Sequence, residues 1–83
     1  SERRIGLNEF YPNPSESSTS IKYVAGNNSQ LHILDILGNT IKSFDLDYSG
    51  TLKIGTSDFS SGIYFGNLVV DKRVVAVKKL IIN

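Results

Sequence analysis

The strongest pattern in the sequence lies in its last third, where apolar residues come in runs separated by short polar breaks. The runs cover residues 63–65, 68–70 and 74–82. Asp71-Lys72-Arg73 lies between the last two runs, so the pattern predicts a β-hairpin with these three residues at its tip. In the second arm, Lys78 and Lys79 interrupt opposite faces at neighbouring positions. A chain with this hairpin is expected to fold as antiparallel β-structure.

The residue types favour the same fold class. The chain has nine Ile, six Val, four Thr and eight Phe plus Tyr against two Ala, and these abundant types are strand formers. Seven Gly, seven Asn and eleven Ser supply turns. About seven short strands at spacings of roughly 8–12 residues predict one all-β domain, an antiparallel two-sheet sandwich of immunoglobulin-like architecture. Because a domain this small has little core, nearly every Ile and Val is expected to be buried.

Turn residues divide the rest of the chain into further strands. These strands are expected at about 5–11, 20–25, 31–37, 40–46 and 52–54. Both alternation phases of residues 31–37 carry apolar side chains, so this strand is expected to be buried on both faces. Gly38-Asn39 predicts a tight two-residue turn. Pro12 and Pro14 end the first strand because proline has no amide donor, and Phe59 is expected to close one end of the core.

Little in the sequence supports catalysis or a bound cofactor. His32 is the single histidine, and it lies between apolar residues of a predicted strand without a catalytic partner. The absence of cysteine excludes thiol catalysis, disulfides and most structural zinc sites. Asp45 and Asp47 are too few for calcium, which takes about six to eight oxygens, and solvated edge charges explain them. We expect a non-enzymatic domain with no metal and no cofactor.

The charge distribution is more informative than the net charge. A net charge of +1 cannot attract phosphates broadly, so nucleic acid is not an expected partner. Residues 72–83, however, contain four cations and no acid. Lysines on this strand either prevent edge-to-edge aggregation or serve recognition, and both interpretations remain open. The longest uninterrupted apolar run, Val74–Val77, is far below the ~20 residues that span a membrane, and no signal peptide is expected.

Two other classes of function remain open. Tyrosine rings stack on sugars, so an immunoglobulin-like carbohydrate-binding or adhesion module is the main alternative. The tyrosines are Tyr11, Tyr23, Tyr48 and Tyr64. A purely structural spacer is the third class.

Four motifs, taken in order, resemble those of a known family. They are Tyr11-Pro12-Asn13-Pro14, Leu31-x-Ile33-x-Asp35-x-x-Gly38, Gly62-Ile63-Tyr64-Phe65 and Val77-Lys78-Lys79-Leu80-Ile81-Ile82-Asn83. From about Leu7 to Asn83 the chain resembles the type A C-terminal sorting domain of the type IX (Por) secretion system of the Bacteroidetes group. It departs from the family at Asn39, where arginine is frequent, and at Phe59, where leucine is usual. The turn chemistry and the apolar character are retained.

The resemblance implies how such a fold is used. Residues 1–8 would be a linker from an upstream cargo domain and residues 9–83 the sorting domain. The implied partners are the type IX secretion translocon, an outer-membrane shuttle protein and a sortase-like protease that removes the domain. The domain would pass through the periplasm and reach the cell surface or the medium with its cargo. The signal peptide that starts this route would belong to the cargo, so this chain is expected to be only its tail.

The last strand is the expected recognition signal. Lys78 and Lys79 would offer charge-assisted contacts, and the residues after them would offer backbone and apolar surface to the translocon. Those residues are Leu80, Ile81, Ile82 and Asn83. An unpaired apolar edge on this strand could also pair with another copy of the chain.

Overall fold

The computed structural model describes residues 5–83, which form seven strands in two antiparallel sheets. The strands are β1 (Gly6–Leu7), β2 (Ser18–Val24), β3 (Ser29–Leu34), β4 (Thr40–Asp45), β5 (Ser49–Gly55), β6 (Gly62–Val70) and β7 (Arg73–Ile82). One sheet has the order β1-β2-β5 and the other β4-β3-β6-β7. The predicted all-β, immunoglobulin-like sandwich of about seven strands is therefore confirmed. The described residues include no helix long and apolar enough to cross a membrane.

The predicted C-terminal hairpin is formed by β6 and β7. Asp71 and Lys72 have φ angles of 51° and 67°, as a primed two-residue turn requires, and Val70 pairs with Arg73. Arg73 is thus the first residue of β7, so the tip is one residue shorter than predicted. A register shift opposite Leu68 and Val69 leaves one extra residue in β7, as in a β-bulge.

The predicted burial of the third strand on both faces is wrong. Leu31 and Ile33 are fully buried, whereas His32 and Leu34 on the other face are only half-buried. The strand also ends at Leu34, three residues earlier than expected, and Ile36 and Leu37 are exposed in the turn that follows. The reason is that none of the described residues packs over the outer face of the four-stranded sheet, so only one face of β3 meets the core.

The turn between β3 and β4 is longer than predicted. Asp35 N donates to Asn39 O and Gly38 N donates to Asp35 O, each at 3.0 Å, so three residues lie between the paired positions 35 and 39. Gly38 has a φ of 89°, a left-handed conformation that suits glycine. The expectation of a two-residue turn at Gly38-Asn39 is therefore wrong.

The core lies between the two sheets and takes residues from six of the seven strands and from the loops. It consists of Leu7, Phe10, Ile21, Tyr23, Ala25, Leu31, Ile33, Ile54, Tyr64, Leu68, Leu80 and Ile82. A Cβ at Gly66 would lie 2.6 Å from Cζ of Phe10, so glycine at that position makes room for the ring. Phe59 packs half-buried against this core, with its ring centroid 5.4 Å from that of Tyr64.

The burial of β-branched residues and the length of the first strand both differ from the sequence-based expectation. The expected burial of nearly every Ile and Val is wrong, because Val74, Val75 and Val77 are each about half exposed. These valines lie on the part of β7 that does not face the core, so they are exposed although their side chains are apolar. The first strand was expected over residues 5–11 but is limited to Gly6–Leu7, with one further bridge between Tyr11 and Ser20.

Candidate recognition site at the terminal strand

β7 is an edge strand, and its edge that faces away from β6 is hydrogen-bonded at the C-terminal end to residues 12–15. We call residues 12–15 the proline segment. The side chain of Asn13 accepts a hydrogen bond from Ile81 N at 2.9 Å and donates from Nδ2 to Lys79 O at 3.0 Å. Ser15 N donates to Ile81 O at 2.7 Å, and Asn83 N donates to Ser15 O at 2.9 Å. Four hydrogen bonds therefore pair the terminal residues with a segment from the start of the chain.

The chemistry of the proline segment explains this arrangement. Pro12 and Pro14 have no backbone N–H, so the segment cannot pair as an ordinary strand over its whole length. The carboxamide of Asn13 carries one acceptor oxygen and an N–H₂ donor, the same pair of functions as a peptide group. It therefore replaces the missing backbone donor and satisfies two groups on the edge of β7. The peptide bonds before both prolines are cis.

The proline segment is itself held by buried hydroxyl groups. Ser15 Oγ lies 2.7 Å from Thr56 Oγ1 and donates to Ser18 O at 3.0 Å, and both Ser15 and Thr56 are buried. Thr19 Oγ1 donates to Pro12 O at 2.9 Å. Sequence reasoning missed these hydroxyl residues, because a run of Ser and Glu reads as a polar loop and gives no signal of burial.

The predicted recognition residues divide into buried and exposed groups. Leu80 and Ile82 point into the core, so in the folded domain their side chains offer no surface to a partner. Lys79 and Asn83 are exposed, while Lys78 is half-buried and its Nζ lies 3.1 Å from a Glu9 carboxylate oxygen. An exposed ion pair of this kind contributes about 0–1 kcal/mol. Lys79 has no ion pair with any of residues 5–83.

The motif around Gly62 also meets the terminal strand, on the side opposite to the proline segment. Gly62 pairs with Ile82, and Tyr64 pairs with Leu80 across the β6–β7 ladder. The Tyr64 hydroxyl donates to Ser60 O at 2.6 Å, which fixes the loop before β6. Three of the four motifs that carry the family resemblance therefore come together at the end of β7.

The motif around Asp35 lies apart from that site and stabilises the β3–β4 turn. The Asp35 carboxylate accepts hydrogen bonds from the backbone amides of Asn39 and Leu37, each at 2.9 Å. The Asn39 backbone amide lowers the pKa of Asp35, with desolvation acting against it and the Asn39 side chain and Leu37 amide adding to it. Asp35 is thus a turn residue, and Gly38 supplies the conformation that the turn requires.

The side chains considered for other chemistry do not converge. His32 Nε2 lies 2.9 Å from Gln30 Oε1 on the outer face of β3. Among residues 5–83 there is no group of three or more His, Cys, Asp or Glu that could hold a metal ion. Tyr23 and Tyr64 are buried, so only Tyr11 and Tyr48 expose rings to a ligand.

These features define a class of protein: a small β-sandwich in which hydrogen bonds from a proline-containing segment cover the edge of the terminal strand. A family model described as the secretion system C-terminal sorting domain matches residues 9–83, and the chain belongs to that family. Searches of curated proteins and of solved structures returned no significant match. Membership supports a type IX C-terminal sorting signal that acts with the secretion machinery, is carried by an upstream cargo domain and leads to the cell surface or the medium.

Proposed function

We propose that the folded domain is recognised by the type IX translocon, together with an outer-membrane shuttle protein, through the end of β7. The observation that supports this most directly is the closure of the β7 edge by Asn13 and Ser15. It holds the terminal residues in one conformation before any partner arrives. Binding then costs less ordering of the chain than a loose C-terminal tail would.

The exposed groups at this end define what a partner could contact. Lys79 is an exposed cation without an ion pair to residues 5–83, and Asn83, four residues further along the chain, is also exposed. Ile81 is half-buried on the same side as Lys79. A carboxylate on the translocon component would form a charge-assisted hydrogen bond with Lys79. The core residues Leu80 and Ile82 fix the position of these groups.

The proposed route ends with removal of the domain by a sortase-like protease after passage through the periplasm. Gly6 and Leu7 pair with Val24 and Tyr23, and Leu7 is buried in the core. A protease needs accessible, extended backbone, so the proposed cut lies before Gly6. The proposed cut therefore lies within the expected linker of residues 1–8, of which the part before Ile5 lies outside the described residues.

Export of a reporter fused to residues 1–83 tests the function, in a host that carries this secretion system. The unchanged domain should bring the reporter to the cell surface, and Lys79→Gln should reduce export. Lys53→Gln is the matched control, since Lys53 is an exposed lysine on the other sheet. Equal export of all three proteins would refute the role of Lys79. Failure of the unchanged domain would refute the sorting function itself.

A further inference from the structure

The outer face of the β6–β7 hairpin is apolar, although it lies outside the core. Directly opposed residues of an antiparallel pair share a face, and β6 and β7 pair Ile63 with Ile81, Val69 with Val74 and Asn67 with Val77. We call the apolar members of this surface the outer hairpin face. They are Ile63, Phe65, Val69, Val74, Val77 and Ile81.

Exposure shows that this face is open to solvent. Ile63, Val74 and Val77 are 43%, 54% and 52% exposed. The outward face of an antiparallel sandwich is normally polar. The other sheet of this chain follows that rule, because most of its outward positions on β2 and β5 carry polar residues. They include Ser20, Lys22, Thr51 and Lys53. An exposed apolar face on only one of two sheets indicates an interaction surface.

Two lysines flank the central part of the outer hairpin face, which contains Phe65, Val69, Val74 and Val77. Lys79 pairs with Phe65 on this face, and Lys72 lies at the hairpin tip beside Val69. Neither lysine has an ion pair with any of residues 5–83. Their seven-residue separation corresponds to about 20 Å along β7 at ~3.3 Å per residue, with some shortening by the bulge. Asp71 precedes Lys72 in the turn and accepts a hydrogen bond from Asn28, and Asp45 on the far strand β4 accepts one from Gln30. Within residues 5–83 neither carboxylate forms an ion pair with Lys72 or Lys79.

We propose that the outer hairpin face binds a protein surface that presents apolar side chains between two carboxylates about 20 Å apart. This inference rests on the proposed function, because it identifies the partner as a surface of the secretion machinery in which apolar side chains lie between two acidic residues. The charges of Lys72 and Lys79 favour a partner protein over a second copy of the chain. A second copy placed face to face would bring lysines against lysines, which is unfavourable, whereas a partner with two acids complements both lysines.

Export of the reporter fusion tests this surface with variants that leave the end of β7 unchanged. One variant combines Val74→Thr with Val77→Thr, which keeps strand propensity and shape but adds hydroxyl groups. The other is Lys72→Glu, which reverses the charge at the hairpin tip. Each should lower export by about tenfold, the change expected for a loss of about 1.4 kcal/mol in binding. Urea unfolding of each purified domain should match the unchanged domain, since all three positions are exposed.

Matched controls make comparable changes at exposed positions elsewhere. Ile41→Thr alters an exposed β-branched residue on β4, and Lys53→Glu reverses an exposed charge on β5; both should leave export unchanged. Full export of the face variants would overturn the inference while the sorting function stands. Loss of export by the unchanged domain would overturn both.

Two further measurements separate the alternative occupants. Flotation with phosphatidylglycerol vesicles, lost in Lys72→Glu, would replace the proposed protein partner with a membrane surface. Sedimentation that shows a dimer, abolished by the paired valine substitutions, would replace it with a second copy. A monomer that does not float, combined with the loss of export above, is the result that we expect.

Discussion

Replacement of Asn13 is the sharpest test of how the terminal strand is held. Asn13→Leu keeps the approximate size of the side chain but removes both hydrogen bonds to β7, at Ile81 N and Lys79 O. Asn13→Asp keeps the acceptor for Ile81 N but loses the donor to Lys79 O. The two substitutions therefore remove two bonds and one bond respectively. Asn27→Leu is the control, because the structure gives the exposed Asn27 side chain no hydrogen bond with residues 5–83.

The magnitude follows from the number of bonds lost. Each intramolecular hydrogen bond contributes about 0.5–1.5 kcal/mol net. Both bonds of Asn13 are exposed, so water partly replaces them, and Asn13→Leu should cost about 1–2 kcal/mol in the free energy of unfolding. In a domain of this size, 1 kcal/mol lowers the Tm by about 4–8 °C. Asn13→Asp should also be destabilising near neutral pH, where its carboxylate faces the Lys79 carbonyl oxygen.

Amide hydrogen exchange localises the effect to the strand edge. Core amides should exchange about fivefold faster in Asn13→Leu for each kcal/mol of global stability lost. The Ile81 amide should speed up by more than the core amides, because it also loses its hydrogen-bond acceptor. Below about pH 4 the introduced carboxyl group of Asn13→Asp is protonated and can donate to Lys79 O, so its deficit relative to the unchanged domain should shrink. Unchanged Ile81 exchange in Asn13→Leu would refute the closure of β7 by the proline segment.

Other substitutions test the close packing and the two turns. Gly66→Ala should cost about 1–3 kcal/mol in thermal unfolding, because the new Cβ would lie 2.6 Å from the Phe10 ring, whereas Gly55→Ala meets no atom within 4 Å and should be neutral. Lys72→Gly should stabilise the domain against urea by up to about 1 kcal/mol, because it relieves a left-handed φ. The pKa of Asp35 is lowered by the turn amides, so its stabilising effect is present above the unfolded-state value of about 3.9 and is lost as the pH falls through the folded value. An NMR titration in which Asp35 has an ordinary or raised pKa would contradict this.

The sequence predicts the fold class because strand patterns and turn residues are local signals. Residue type alone places the hairpin tip within Asp71-Lys72-Arg73 and the break at the two prolines, although pairing of Val70 with Arg73 shortens the tip to two residues. The length of the β3–β4 turn cannot, because Gly38 fits both a two-residue turn and the longer one. The longer turn is selected because backbone amides within it donate hydrogen bonds to the Asp35 carboxylate.

The candidate site was less predictable, since it depends on contacts between distant parts of the chain. The motifs at both ends are visible in the sequence, but no local rule says that the Asn13 side chain substitutes for a peptide group on β7. The sequence also does not predict which side chains of β7 are buried. The valines and the buried Leu80 are all apolar, and only the register and the bulge decide which of them face the core.

The closure of the terminal strand connects the proposed recognition signal to folding of the whole domain. The two bonds of Asn13 join residues that are 66 and 68 positions apart, so they form only when the first and last parts of the chain are both in place. A substitution far from β7 should therefore act on its edge through global stability. Gly66→Ala should speed exchange of the Ile81 amide and Lys72→Gly should slow it, each in proportion to its change in the free energy of unfolding. Ile81 exchange that stays constant across this series would show that the end of β7 opens independently of the rest of the sandwich.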